Sequence, residues 1–220
     1  MIDLQREGAV FVLRMNNGEN RFNPEFVRAM NAALDEVEGH PAPSALVTTG
    51  AGKFYSNGLD LAWMGTDGVD AIAFVRTVHK LLGRLLGFPR PTVAALNGHA
   101  FAGGAMLALA QDFAVMRSDR GYFCLPEADL GIPFTAPMTA LIAARIAQPA
   151  LHEACTTGRR YGASDALAAG IVAAVADEAE VLPMAVARAE ALAGKEASTL
   201  RAIKRGLYAQ ALHLLEGEGG

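Results

Sequence analysis

A run of small residues around three glycines is the part of this sequence best suited to chemistry. Residues 91–106 lead from an apolar stretch through Gly98, Gly103 and Gly104 into a helix-forming segment. Glycine lets the backbone take positive φ angles and lets another group approach closely. The first N–H groups of a helix have no partner within the helix, and they can bind an anion. The alternative is a tight turn in which the glycines only relieve crowding.

A second candidate is the carboxylate of Glu127, which follows Pro126 and an apolar stretch at residues 122–125. In an apolar pocket, the loss of hydration would raise the pKa of this carboxyl towards neutrality and suit it to moving a proton. The alternative is a surface carboxylate that caps the next turn. Asp129, two residues further on, is expected to serve in a local turn or a salt bridge.

Several familiar kinds of site are disfavoured. The glycines resemble those of a phosphate-binding P-loop, but Gly104 and Ala105 occupy the positions of its Lys and Ser/Thr. No G-x-G-x-x-G opens a βαβ unit, and no G-x-S-x-G is present. His152 lacks the second histidine of a zinc-peptidase helix, and His99 is interpreted as structural. We therefore expect no metal site and no nucleotide cofactor.

Composition indicates a globular chain. It has 220 residues, of which 52% are hydrophobic and 19% charged, with a formal net charge of −4. This charge gives no general reason to bind nucleic acid or an anionic membrane, and no apolar stretch reaches membrane-spanning length. Cys124 and Cys155 show neither metal-ligand spacing nor a disulfide framework, so a reducing compartment, the cytoplasm, is expected.

The elements that must position these residues alternate between strand and helix. Two strands at residues 2–6 and 9–15 form a predicted hairpin, and apolar spacing predicts helices at 24–38 and 69–86. Further strands are predicted at the segments 45–49, 91–96, 113–116, 122–125 and 171–175. Strand–helix–strand alternation favours a parallel sheet with helices outside it.

The C-terminal part is richer in alanine and predicts mainly helices. Ser164 is predicted to cap a short helix, and two longer helices are predicted at residues 181–193 and 198–215. We place a boundary near Gln148, between an α/β core at residues 1–147 and a helical region at residues 148–220 for oligomerisation and pocket closure.

Three segments together resemble the crotonase superfamily, also called the enoyl-CoA hydratase/isomerase family. Residues 54–60 resemble its F-x-A-G-x-D loop, residues 97–104 its glycine-rich N-G-x-A turn, and residues 126–131 its P-E-x-x-L-G segment. Each motif is weak alone, but their order and separation are specific, and the resemblance covers essentially the whole chain. It implies an α/β crotonase-like spiral of ββα units with a helical C-terminal part.

The resemblance also implies roles for individual residues. The backbone N–H groups of Leu59 and Gly103 would form an oxyanion hole for the carbonyl of an acyl-CoA thioester, and Glu127 would be the catalytic acid and base. Family hydratases place a second glutamate where this chain has Met106. Substrate contacts are expected from residues of the loop, the turn and the apolar pocket: Asn57, Gly58, Asp60, Phe101, Gly104, Met106 and Phe134. Met64 and Met138 are further pocket candidates.

One carboxylate in place of two favours a proton shift over hydration. The resemblance therefore implies a Δ3,Δ2-enoyl-CoA isomerase that acts on acyl-CoA with no cofactor other than the coenzyme A of the substrate. The alternatives are another family reaction, namely hydration, thioester hydrolysis or decarboxylation, and a non-catalytic acyl-CoA-binding homologue. A homotrimer or a dimer of trimers is implied by the family. Lys204 and Arg205 are candidates for the CoA phosphates, or lie on a solvated helix face.

Overall fold

A computed structural model describes residues 2–41 and 43–217. The strands are β1 (Ile2–Glu7), β2 (Val10–Met15), β3 (Ala45–Gly50), β4 (Phe54–Ser56), β5 (Thr92–Leu96), β6 (His99–Phe101), β7 (Phe113–Arg117), β8 (Phe123–Cys124) and β9 (Ala174–Ala176). The helices are α1 (Pro24–Gly39), α2 (Leu61–Met64), α3 (Ala71–Leu86), α4 (Gly103–Leu109), α5 (Glu127–Leu130), α6 (Ala136–Arg145), α7 (Ala150–Thr157), α8 (Ala163–Ala168), α9 (Val181–Leu192), α10 (Ala197–Leu207) and α11 (Ala209–Glu216).

The larger sheet has the strand order β1-β2-β3-β5-β7-β9, and all its pairs are parallel except the predicted hairpin β1-β2. Alternate side chains of a strand point to opposite faces of the sheet. Val10 and Val12 therefore pack with Ala185 of α9, while Phe11 and Leu13 belong to the larger core on the other face. The sheet is consequently buried on both faces, as parallel sheets are.

The smaller sheet consists of β4, β6 and β8, which are parallel and adjacent. Three strands of the larger sheet, β3, β5 and β7, are each followed by one of these short strands and then by a short helix, α2, α4 or α5. This is the succession of ββα units that the family resemblance implies. The sequence patterns did not predict β4 and β6, because three residues are too few to show a periodicity.

Side-chain caps determine where two of the predicted helices begin. The Asn23 side chain accepts a hydrogen bond from Phe26 N (2.9 Å), and α1 begins at Pro24, as predicted. The Asp70 side chain accepts one from Ala73 N (2.9 Å), so α3 begins two residues later than predicted. Ser164, in contrast, lies within α8, and Gly162 is the residue before that helix.

The predicted helix at residues 198–215 is wrong, because Tyr208 separates α10 from α11. At this break the Tyr208 ring lies under the guanidinium of Arg145, which is 5.4 Å from the ring centroid, and Arg145 donates a hydrogen bond to the Tyr208 hydroxyl. These contacts are long-range in sequence, so helical spacing alone could not reveal the interruption.

The C-terminal region contributes to both sheets as well as supplying helices. Strand β9 pairs with β7, and Tyr161 forms an antiparallel bridge with Phe123 of β8. Helix α11 packs on α3 and α6, where Gly83 lies close to Leu215. The boundary near Gln148 stays a prediction, and the last three residues of the predicted helical region, 218–220, lie outside the described residues. Within residues 2–41 and 43–217, no helix is both long and apolar enough to cross a membrane.

Candidate active site

The smaller sheet brings the three predicted catalytic groups to one edge. Its parallel strands end at Ser56, Phe101 and Cys124, and Leu59, Gly103 and Glu127 follow these ends by two or three residues. The Ala102 N–H donates to the Cys124 carbonyl (3.0 Å), which ties the turn before Gly103 to the strand that leads to Glu127. Residues from three distant parts of the sequence therefore follow the carboxyl ends of neighbouring strands.

The N–H group of Leu59 points away from the segment that holds its loop. Phe22 N donates to Gly58 O (2.7 Å), and Asp60 N donates to Phe22 O (3.0 Å), so Phe22 and Leu59 form a parallel bridge. Because Phe22 bonds the two residues that flank Leu59, the amide of Leu59 itself faces the other side. Within residues 2–41 and 43–217 this N–H has no hydrogen-bond acceptor.

The N–H group of Gly103 is also free in the described part of the chain. It follows Ala102, whose φ of 49° is rare for a residue with a side chain, and which precedes α4. Such backbone strain is typical of functional turns. Helix α4 has only seven residues, so the N–H group itself, rather than a large helix dipole, is the feature able to bind a negative oxygen.

Close contact between the loop and the turn explains the glycines. A Cβ on Gly58, which has a φ of 75°, would lie 2.7 Å from Gly103 N, and a Cβ on Gly104 would lie 2.2 Å from Ser56 O. Both distances are shorter than atoms tolerate, so a side chain at either position would force the two segments apart. The two free N–H groups can be neighbours only because these residues are glycines.

Glu127 is the first residue of α5, and only 8% of it is exposed. Its Oε2 atom is buried and has no hydrogen-bond partner in the described chain. Burial raises the pKa of the Glu127 carboxyl from 4.5 to about 7, while a hydrogen bond from its own backbone lowers this pKa slightly. Burial is the main cause of this shift, and the thiols of Cys124 and Cys155, whose pKa values the Glu127 charge raises, lie near the carboxyl.

Three other residues of the predicted site differ in burial and in hydrogen bonding: Met106, Asn57 and Asp60. Met106, 1% exposed, lies in α4 one turn after Ala102. Asn57 donates from its backbone N to Glu19 O (2.9 Å) and from Nδ2 to Glu19 Oε2 (2.8 Å). Asp60 caps α2, since its Oδ1 accepts from Trp63 N (3.2 Å), and its predicted contact with the substrate stays a prediction.

Three residues predicted for the acyl pocket lie in different surroundings: Phe101, Phe134 and Met64. Phe101 packs against His99, with 5.0 Å between ring centroids, below the guanidinium of Arg160. Phe134 lines a surface groove beside α6, and Met64 lines a mainly apolar cavity of about 620 Å³ between α3, α6 and α11. The roles of these residues in binding stay predictions.

Lys204 does not match its predicted role. It is 4% exposed, and its Nζ donates to Asp112 Oδ2 (2.7 Å) and to Arg90 O (3.1 Å). A lysine already paired and covered in this way cannot reach a phosphate at the surface, so the role predicted for Lys204 is corrected to that of an anchor of α10. Arg205 is more exposed and pairs with Glu216 (2.7 Å).

A six-stranded sheet joined to a small parallel sheet by successive ββα units is the arrangement of crotonase-type proteins. The chain belongs to the enoyl-CoA hydratase/isomerase family, whose sequence model matches residues 5–217. It is 36% identical to enoyl-CoA delta isomerase 3 of Arabidopsis thaliana over 98% of this chain and 95% of that protein.

Solved structures agree with this assignment. A probable enoyl-CoA hydratase of Mycobacterium tuberculosis superposes with a TM-score of 0.91 at 29% identity, over 97% of this chain and 91% of that one. Human mitochondrial delta3-delta2-enoyl-CoA isomerase gives the same TM-score at 23% identity, over 97% and 85%, and shows the likeness of fold alone. The predicted fold class and family are confirmed, and membership supports a crotonase-family reaction on an acyl-CoA.

Proposed function

We propose that this protein is a Δ3,Δ2-enoyl-CoA isomerase. The Glu127 carboxylate removes a proton from C2 of a 3-enoyl-CoA, the C3–C4 double bond moves to C2–C3, and Glu127 returns the proton to C4. The observation that carries the proposal is the buried carboxyl of Glu127, with one unpartnered oxygen, at the sheet edge that also bears two free N–H groups, with Met106 at the position of the hydratases' second glutamate.

The free N–H groups of Leu59 and Gly103 would stabilise the intermediate. When the proton leaves C2, negative charge develops on the thioester oxygen, and positioned donors lower the energy of that charge. Loss of one such donor in other enzymes costs about 3–4 kcal/mol of transition-state stabilisation. Hydrogen bonds from backbone groups suit this purpose, because these groups are held by the fold and cannot rotate away.

A pKa of about 7 suits Glu127 to both halves of the reaction. A carboxyl with this pKa is a stronger base than an exposed glutamate, yet it still gives its proton back readily. Since Oε2 has no protein partner, the proton can be carried without first breaking a hydrogen bond.

The acyl chain would lie in the apolar cavity lined by Met64, Val75 and Leu214. Met64 ends the helix that directly follows the Leu59 loop, so one residue of the cavity lining lies close in sequence to a proposed donor. Its volume of about 620 Å³ is within the range typical of small-molecule sites. The reaction needs no cofactor beyond the coenzyme A of the substrate.

The test is product analysis with a panel of acyl-CoA esters. We expect 3-enoyl-CoA to give the conjugated 2-enoyl-CoA without loss of CoA. Dominant formation of 3-hydroxyacyl-CoA, free CoA or carbon dioxide would instead identify a hydratase, a thioester hydrolase or a decarboxylase. Binding of every ester with no turnover would identify a non-catalytic homologue, and each of these results would refute the isomerase.

We also propose that the protein assembles as a homotrimer or a dimer of trimers. Helix α10 buries only Lys204, while Leu207 and Ile203 of the same helix are 70% and 53% exposed. Leu207 borders the groove that Phe134 also lines. Apolar side chains exposed together beside a groove are typical of an interface between protein chains. Light scattering after gel filtration would give the mass, and a monomer at micromolar concentration would refute this proposal. Cytoplasmic location stays a prediction.

A further inference from the structure

Residues 19–22, for which the sequence patterns predicted no function, run along the Leu59 loop, and we name them the strap. Backbone hydrogen bonds join the strap to both sides of Leu59: Asn57 N donates to Glu19 O (2.9 Å), and Phe22 pairs with Gly58 O (2.7 Å) and Asp60 N (3.0 Å). The strap therefore contacts the residues on either side of one proposed oxyanion donor.

Asn20 fastens the strap to the start of this loop. It is fully buried and has a φ of 52°, a left-handed conformation that asparagine tolerates better than most residues. Its Nδ2 donates to Tyr55 O (3.0 Å) and, more weakly, to Phe54 O (3.3 Å). Its own carbonyl accepts from Ser56 Oγ (2.8 Å), which in turn accepts from Gly58 N (3.2 Å).

Phe22 connects the strap to the second donor. Its ring is fully buried, and Phe22 Cε2 lies 3.1 Å from the point where a Cβ on Gly103 would be, with Gly58 Cα at 3.2 Å from the same point. One residue thus bonds the backbone beside Leu59 and packs its ring against Gly103. The spacing between the two N–H groups depends on this contact, since a gap between the Phe22 ring and Gly103 lets one group move relative to the other.

We propose that Phe22 is a positioning residue that sets the distance and angle between the Leu59 and Gly103 N–H groups. The inference rests on the oxyanion role in the proposed function, and it extends that role to a residue that does not touch the substrate. Two donors must converge on one oxygen, and small errors in position weaken both hydrogen bonds. The strap holds the two donors in place because it forms hydrogen bonds with the residues beside Leu59 and packs the Phe22 ring against Gly103.

A matched pair of substitutions tests the proposal. Phe22→Leu removes the ring from Gly103, whereas Phe26→Leu removes the ring stacked on Phe22, 4.7 Å away between centroids. Both residues are buried, and the atoms closest to Gly58 and Gly103 include none from Phe26. A general loss of core packing would lower the melting temperature of both variants alike, while mispositioned donors would affect Phe22→Leu alone.

We expect Phe22→Leu to lower kcat for 3-enoyl-CoA by about 10- to 100-fold, with a much smaller change in KM. Phe26→Leu should retain kcat within about threefold, as expected of a substitution that leaves the donors in place. Should Phe22→Leu fail to fold, Phe22→Met offers a flexible side chain that fills irregular gaps in a core while it removes the flat ring, and the same fall in kcat is expected.

A readout without turnover separates this inference from the isomerase proposal. A cinnamoyl-CoA probe has its double bond already conjugated, and its absorption moves to longer wavelength when donors polarise the carbonyl. We expect this shift with the wild-type protein, Phe26→Leu and Glu127→Gln, and a smaller shift with Phe22→Leu.

Equal shifts and equal kcat values for the two phenylalanine variants would overturn the positioning role, as would a wild-type protein that binds the probe without any shift. A wild-type protein that shifts the probe but does not isomerise 3-enoyl-CoA would refute the isomerase and leave the positioning role supported, provided that Phe22→Leu reduces the shift.

Discussion

The two halves of the proposed site are built in different ways. The half that carries Leu59 and Gly103 uses backbone groups and is held from several directions: by the strap, by the contact between Gly58 and Gly103, and by Tyr55. The Tyr55 hydroxyl lies in a buried network with Thr48 Oγ1 (2.8 Å) and Gln111 Nε2 (2.9 Å), which connects the loop to β3 and to the end of α4.

The half that carries Glu127 is held more lightly. Helix α5 has four residues and ends at Gly131 in a left-handed conformation, and Ile132 N donates back to Glu127 O (3.0 Å). Leu130 and Ile132 are 54% and 44% exposed, and the Glu127 carboxyl has an unpartnered oxygen. This half of the site positions the Glu127 side chain but leaves its Oε2 atom free to bind a proton.

The difference follows from what each half must do. Donors that stabilise an oxyanion act best when they do not reorganise, so rigidity and dense hydrogen bonding favour them. A proton carrier must gain and lose a proton within each turnover, and a strong hydrogen bond or ion pair to its carboxylate would hold one protonation state. Five predictions test this contrast.

Glu127→Gln should have the largest effect on activity. The amide preserves the shape of the side chain but cannot accept the proton, so we expect kcat for isomerisation to fall by at least about 10³-fold. The measurement is the rise in absorbance of the conjugated thioester. Retention of the wild-type rate by a folded variant would refute the role of Glu127.

Gly58→Ala and Gly131→Ala compare the two halves directly. Both glycines have positive φ, 75° and 66°, but a Cβ at Gly58 would lie 2.7 Å from Gly103 N, whereas one at Gly131 meets no atom within 4 Å. Gly131→Ala should lose about 1–2 kcal/mol of stability from backbone strain, and Gly58→Ala should lose more because of the added clash. We expect only Gly58→Ala to lose about 10²-fold or more in kcat.

Urea unfolding and steady-state kinetics measure the two effects of these glycine variants. Similar kcat values for Gly58→Ala and Gly131→Ala would show that the two halves tolerate displacement equally, contrary to the contrast drawn here.

The pH dependence follows from the raised pKa of Glu127. We expect kcat/KM to rise with pH through about 7, because the free enzyme must carry the carboxylate form. A rising limb centred near 4.5 would show that Glu127 is hydrated like an ordinary glutamate.

Stability should change with pH in the opposite direction. A carboxyl whose pKa is higher in the folded than in the unfolded protein is favoured when protonated, so its stabilising effect is present below pH 4.5 and is lost as pH rises through 7. Ionising the buried group costs up to about 3 kcal/mol. Glu127→Gln should therefore be more stable than the wild type at pH 8, as measured by urea unfolding.

The smallest effect is expected from Asn57→Ala. It removes the hydrogen bond from Nδ2 to Glu19 Oε2 (2.8 Å) at a partly exposed position but keeps the backbone bonds of the loop. We expect a loss of about 1 kcal/mol or less in unfolding free energy and a change in kcat below about threefold. A larger fall in kcat would show that side chains of the loop, as well as its backbone, hold the oxyanion donors.

Local patterns predicted the parts of the fold that local physics determines. The Asn23 cap with Pro24 and the apolar spacing of α1 are features of adjacent residues, and so are the hairpin β1-β2 and the glycine turn. The motifs also predicted that Leu59, Gly103 and Glu127 act together, and the structure places them along one sheet edge.

The rest depends on partners far away in sequence. A lysine on a helix is ordinarily solvated, and only the fold shows that Asp112, 92 residues before Lys204, covers and pairs with it. Asn20 and Phe22 lie in a polar stretch that resembles a plain loop, so their contacts with residues 54–60 and Gly103 could not be predicted from spacing. Short strands such as β6 were missed for the same reason, since pairing defines them more than composition does.

The pairing of β9 with β7 and of Tyr161 with Phe123 has a consequence for folding. Both partners in the first 147 residues stay exposed strand edges until the C-terminal residues arrive. During synthesis, β8 lacks one partner until residue 161 leaves the ribosome and β7 lacks one until residues 174–176 do, and an unpaired β7 edge invites aggregation until then. A chain shortened near residue 147 should therefore accumulate as insoluble material rather than as a smaller enzyme.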